Sequence, residues 1–457
     1  MAQQANTDLG SGNVGSLLFK LALPAITAQI INVLYNMVDR MYIGHIPVIG
    51  SQALTGVGVT MPAIMIISAF ASLVSMGGAP RAAIMMGKKK QDEAERILGV
   101  CFAALIVVAV ILTAFFLAFG RDILMVFGAS EATIGYAVEY MNIYTMGTLF
   151  VQMALGMNAF ITTQGFAKTS MLTVLIGAIC NIILDPVFMF GFGMGVKGAA
   201  LATIISQGIS SAWVVLFLVS KKSMLKIRWK YVRLTPKVLL PCLALGASPF
   251  IMQFTESAIS VCFNTSLLKY GGDLAVGAMA ILTSIMQFSM LPLQGMAQGA
   301  QPIVSYNYGA GKLERVKKTF YLLLAASLVF SCLIWAICMF APGLFVMIFT
   351  DDPELTAFTV RALRIYMCAS LIFGAQIACQ QTFIALGNAK SSMFLALLRK
   401  VILLIPLIFI LPLVMEDQTT AVFMAEPVAD TIAVATTCTM FFISFRKLMK
   451  KEKPALS

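Results

Sequence analysis

Twelve stretches of mostly apolar residues dominate this 457-residue chain, centred near Ile30, Ile66, Val107, Thr148, Ile179, Ser210, Met252, Ser284, Val329, Phe373, Leu403 and Ala433. Each approaches the roughly 20 residues that a helix needs to cross the hydrocarbon core of a bilayer. Inside that core only helices and closed barrels satisfy their own backbone hydrogen bonds. Barrel strands would show about 10 residues of strict alternation, which these stretches lack. Hydrophobic residues make up 60% of the chain and charged residues 11%, against roughly 45–50% and 25% in soluble proteins. The sequence therefore predicts an all-α integral membrane protein with twelve transmembrane helices.

The surplus of 32 Lys and Arg over 20 Asp and Glu would suit nucleic acid, but its placement suits lipid. Loops after even-numbered stretches and the C-terminal tail hold 23 basic residues, among them Lys88, Lys89, Lys90, Lys221, Lys222, Lys312 and Lys447, while the opposite loops hold three, Arg121, Lys197 and Lys269. The positive-inside rule then puts both termini in the cytoplasm of a multi-pass cell-membrane protein. The 9 cysteines lie in or beside apolar stretches with no CxxC pair, which argues against a disulfide framework or a zinc site. The first span is longer than a signal-peptide core and reads as uncleaved.

The chain contains an internal repeat. A shift of about 222 residues aligns "QGFAKTSM" (164–171) with "LGNAKSSM" (386–393) and "MVFGASE" (125–131) with "MIFTDDP" (347–353). Six spans return each half to its starting side, so the two halves share one orientation and a pseudo-twofold axis along the membrane normal. The predicted organisation is an N-terminal six-helix lobe (1–220), a basic cytoplasmic connecting loop (221–237) and a C-terminal six-helix lobe with a short basic tail (238–457). Two parallel lobes around a central cleft can open to one side at a time, which is the architecture of a transporter.

The chemistry lies in the few acids inside the spans: Asp39, Asp185, Glu256, Glu426 and Asp430. An aspartate at the bilayer centre costs about 2.5–3.5 kcal/mol and usually faces a bundle interior or a wet cavity. Helical spacing puts Asp39 on one face with Asn32, Tyr35 and Asn36, and Asp185 on one face with Asn181 and Gly177. Pro186 lacks the N–H that would bond the Ile182 carbonyl, so a kink with freed backbone oxygen is expected there. Carboxylate, amide and carbonyl oxygens suit sodium, and the carboxylate alone suits a proton. The sole histidine, His45, sits at the end of the first span, so a proton route would use carboxylates.

"YNMVDRMYIG" (35–44), "NIILDPVFMFGFGMGVKGAALAT" (181–203) and "SYNYGAGKLERVKK" (305–318) resemble segments of multidrug and toxic compound extrusion (MATE) transporters. The resemblance covers the whole chain. It implies two six-helix lobes that exchange sodium or protons for bulky, often cationic or amphipathic compounds. It also implies a cation site at Asp39, Asn181, Asp185 and Thr203, which would ligate sodium if sodium is the coupling ion, with Asn158 and Tyr140 as polar neighbours. Pro24 matches a bending point, so Pro24 and Pro186 are candidate hinges. Glu256 matches an acidic position of one branch and shares a helix face with Gln253. That branch's acid in the tenth helix is missing from 358–385, so Glu256, Glu426 and Asp430 are read instead as attracting a cationic substrate. Gln253, Met286, Gln287 and Met290 complete the expected substrate-binding set, because flexible, polarizable Met suits promiscuous binding.

Other classes fit less well. "GAGKL" (309–313) lacks the earlier Gly and the following Ser/Thr of a phosphate-binding loop. One histidine with scattered acids supplies no catalytic constellation, so no enzyme activity and no cofactor are expected. The expectation is a monomeric antiporter that exports small-molecule drugs through alternating access, driven by sodium or protons, in contact with lipid and not with nucleic acid. The alternative is a flippase of lipid-linked precursors from the same superfamily.

Overall fold

A computed structural model describes residues 8–450, and every described regular element is helical. The first six crossings are α1 (Val14–Gly44), α2 (Gly50–Gly87), α3 (Gln91–Val126), α4 (Ile134–Met146 and Thr148–Thr163, interrupted at Gly147), α5 (Ala167–Gly191) and α6 (Val196–Val219). The next helix, Pro236–Gly309, has 74 residues, about 110 Å if straight and far beyond one bilayer. It is broken at Gly272, whose φ of 64° and ψ of −163° belong to a region open essentially to glycine alone. Val238 near its start and Tyr306 near its end pack against one core cluster that also holds Met85 and Met86. The chain thus turns back at Gly272 and crosses twice, as α7 (236–271) and α8 (272–309). The last crossings are α9 (Leu313–Phe340), α10 (Pro353–Ala385), α11 (Ala389–Val414) and α12 (Gln418–Lys450).

α1–α6 build one lobe and α7–α12 the other. Leu17 and Leu18 at the start of α1 share a buried cluster with Phe441 and Phe445 near the end of α12, so both described ends of the chain lie on one face. On this terminal face the connection after α6 is docked by burial of Leu225 and Ile227. Gln164 holds it too, its Oε1 accepting from the backbone N–H groups of Met224 (2.7 Å) and Leu225 (2.9 Å). Arg228 pairs with buried Glu95 in the same region.

The pseudo-twofold is visible in the packing. Leu21 of α1 packs in the second lobe's terminal-face cluster and Cys242 of α7 in the first lobe's, and 242 minus 21 is 221, close to the shift of the sequence repeat. The seam between the lobes repeats in the same way. Glycines bring backbones into contact: Gly77 meets Cys242, Gly246 meets Leu73, Gly295 meets Ile26 and Gly299 meets Ala22. Gly87 against Tyr306 and Gly309 against Ile84 close the terminal-face end. A β-carbon on Gly295 would lie 2.7 Å from the Ile26 Cα, and one on Gly246 would overlap the Leu73 carbonyl.

Gly246→Leu is therefore expected to wedge the lobes apart. Cys242, fully buried here, should then be alkylated severalfold faster by a maleimide, read by peptide mass spectrometry. An unchanged rate would contradict the seam. A second clasp lies at the chain's start. Lys312 donates to the Gly10 carbonyl (2.7 Å), and Arg315 to the carbonyls of Gly12 and Ser11 (both 2.8 Å). These bonds fasten the segment that leads into α1 to the second lobe.

A candidate cation site in the first lobe

Three helices bring the polar residues of the first lobe together. α1 carries Asp39, α5 carries Asn181 and Asp185 one turn apart, and α6 carries Thr203. Asp39 stands thirteen residues beyond Ile26 of the seam, about 20 Å further along α1, so the cluster sits in the half of the lobe away from the terminal face. Asp185 is fully buried, Asn181 is 2% exposed and Asp39 6%. After Pro186 the helix continues as a π-turn over Val187–Gly191. Such wider turns are often found at functional sites. Here it keeps α5 continuous where the proline removes a donor.

The hydrogen bonds fix the orientation of the site. The Asn181 amide donates to Asp185 Oδ1 (3.2 Å) and Thr203 Oγ1 (3.4 Å), and Thr203 donates to the Ala199 carbonyl (3.0 Å). Buried Tyr140 belongs to the same lobe, and Tyr144 stacks on it with ring centres 6.2 Å apart. With its amide nitrogen committed, Asn181 leaves its Oδ1 free. Asp39 Oδ1, Asp185 Oδ2 and Asn181 Oδ1 are all buried without a hydrogen-bond partner. Asp39 and Asp185 lie within electrostatic reach of each other, and among the described residues neither belongs to an ion pair. Two neighbouring carboxylates away from water need a positive charge close to both. The converging hard oxygens suit a small cation, and the carboxyl pair suits a shared proton.

Asn158 lies elsewhere. Its amide donates to the Ser170 carbonyl (3.2 Å), eleven residues and about 16 Å before Asn181 along α5. The family pattern proposed it; the geometry groups it instead with Thr162 and Ser170, which share a 2.8 Å hydrogen bond. Tyr144 and the Ala199 carbonyl are additions that spacing did not single out.

The second lobe differs from expectation. Its acids are paired with bases inside the lobe. Arg399 donates to Asp430 Oδ1 at 2.6 Å and lies 3.6 Å from Glu426 Oε1, while Lys400 donates to Glu256 Oε2 at 3.0 Å. Arg399, Lys400, Glu426 and Asp430 are buried, and the Glu256 side chain is half exposed. Arg399 also lies over the Phe373 ring, 4.6 Å from its centre. Glu256, Glu426 and Asp430, read from sequence as attracting a cationic substrate, are thus each placed against a base of α11.

Of the other expected substrate residues, Gln253 donates to Ser72 Oγ across the seam (3.0 Å). Met286 packs against the second lobe's core, Met290 faces α9 and α10 beside Phe330 and Phe373, and Gln287 is exposed. Pro24 is buried in an uninterrupted α1, between Ala22 and Ile26, which both touch α8.

Comparison with known proteins decides the family. A family model, MatE, matches residues 24–187 and 249–410, one stretch in each lobe. The chain belongs to the MatE family. A relative, the multidrug export protein MepA of Staphylococcus haemolyticus, is 24% identical over 86% of both chains, and MepA of Staphylococcus saprophyticus is 23% identical over the same shares. Among solved structures, the outward-facing conformation of a multidrug resistance MATE family transporter aligns over 100% of both chains with TM-score 0.89 at 19% identity. A MATE protein in the bent conformation aligns over 99% of this chain and 100% of its own with TM-score 0.91 at 20% identity. The MatE family and these relatives are transporters, so this chain is a membrane transporter and not an enzyme, with the two-lobe fold of the solved MATE structures.

Proposed function

We propose that this MatE protein is an efflux antiporter of the cytoplasmic membrane that exports organic, often cationic or amphipathic drugs in exchange for sodium or protons. The observation that carries the proposal is the trio of buried, partnerless oxygens on Asp39, Asp185 and Asn181. No resident cofactor enters the scheme, because the coupling ion is itself cargo. The charge asymmetry of the loops supports an orientation with the terminal face in the cytoplasm. The connection after α6 supports division into lobes at 1–220 and 238–457 within a monomer.

Ion occupancy relieves the repulsion between Asp39 and Asp185 and draws α1 toward α5. α1 is one helix whose first turns pack in the second lobe, so a shift at Asp39 reaches the seam through Pro24, the proposed hinge. The movement changes how the lobes meet, and with it the cleft that holds the drug. The export function of the MepA relatives supports this reading over a lipid flippase, and the bases Arg399 and Lys400 are already neutralised by three carboxylates.

Proteoliposomes given sodium and pH gradients separately test the function. At least one gradient should accelerate movement of a fluorescent organic cation against its own gradient. Acceleration by neither would overturn the proposal.

A further inference from the structure

A concave site lies on the terminal face between the start of α1 and the start of α9. Its volume is about 590 Å³, and its lining includes Asn13, Val14, Arg315, Lys317, Lys318 and Tyr321. Leu322 and Glu314 line it as well, so three bases face one acid. Arg315 is committed to backbone carbonyls and to Asn307 Oδ1 (3.1 Å). Lys317 and Lys318 are exposed, and among the described residues neither is in an ion pair.

The surroundings of these lysines are those of a lipid headgroup. The site lies where two spans emerge from the bilayer. Tyr321 is 47% exposed, as befits an aromatic residue at the membrane interface. Along α1, Phe19 (66% exposed) and Leu23 (50% exposed) follow Gly15 at intervals of four on one helix face, and Gly15 lies beside Leu322 of the site, so an exposed apolar track leads from the site along α1. Free phosphate would use the lysines and leave that track idle. A phospholipid uses both, because basic pockets between spans on the cytoplasmic side hold anionic headgroups and the track takes the acyl chain.

We propose that this site binds the headgroup of an anionic phospholipid, bridging the first lobe through α1 and the second through α9. A lipid held from both sides binds best while the terminal-face ends of the lobes are together, so it favours the closed seam. Placement in the inner leaflet rests on the orientation proposed above. Binding itself is tested in detergent, where orientation plays no part.

Purified full-length protein is titrated with phosphatidylglycerol, phosphatidylcholine or inorganic phosphate, and bound lipid is read by native mass spectrometry. Phosphatidylglycerol should be preferred, and Lys317→Gln with Lys318→Gln should weaken it by about fivefold per lysine. The control Lys221→Gln with Lys222→Gln, which removes equal charge elsewhere on the face, should bind as the parent does. Equal loss in the control, no preference over phosphatidylcholine, or equally tight inorganic phosphate would each overturn the proposal.

Discussion

Replacing Asp39 or Asp185 by Asn is expected to abolish drug export: resistance of cells expressing either variant should fall to that of cells without the protein, while the amount inserted in the membrane should stay at the parent level. Asparagine keeps the shape of the side chain and one acceptor oxygen while removing the negative charge, so the fold has no reason to fail. In either variant the contact between α1 and α5 no longer joins two carboxylates, and the requirement for a positive charge between them is gone. Without that requirement, ion occupancy no longer distinguishes two arrangements of α1, and a ligand that binds two states equally shifts neither. Removing one partner of the supporting shell, as in Thr203→Ala, leaves both carboxylates in place and should weaken coupling without eliminating it. Full resistance in both aspartate variants would discard the ion-site assignment.

The second large effect falls on stability. Arg399→Met strands Asp430 and Glu426, two carboxylates that are each 2% exposed. Breaking a buried ion pair by removing one partner costs about 3–5 kcal/mol, whereas replacing a whole buried group by apolar residues of similar size is often neutral. The single variant should therefore show a marked drop in thermal stability in detergent. A triple variant, Arg399→Met with Glu426→Leu and Asp430→Leu, should recover much of it. A single variant that melts with the parent would show that Arg399 is not the counter-charge of this cluster. The second lobe thus pairs its buried acids with its own bases, whereas among the described residues Asp39 and Asp185 of the first lobe have no basic ion-pair partner.

The parts of this account that sequence made legible are those encoded in spacing. Apolar length gave the spans, the repeat from Gly120 to Gln207 against its shifted copy gave the lobes, and the interval of four from Asn181 to Asp185 put amide and carboxylate on one helix face. The pairing of Arg399 with Asp430 was hidden because the partners sit on different helices, 31 residues apart, with no period connecting them. Asn158 was drawn into the site by family pattern, and only three-dimensional contact with Ser170 separates it. The seam was equally silent: a glycine reads as a weak point in a helix until the backbone that touches it is known. Tyr144 went unnoticed because a buried aromatic in an apolar span resembles ordinary packing.

The coupling is tested most directly by running it in reverse. Proteoliposomes holding the transporter are loaded with an organic cation, and internal pH and sodium are followed as that cation flows out down its own gradient. The account predicts a counterflow of protons or sodium that tracks cargo flux in the parent protein and vanishes in the Asp39→Asn and Asp185→Asn variants. Cargo flux with neither ion moving in return would contradict it.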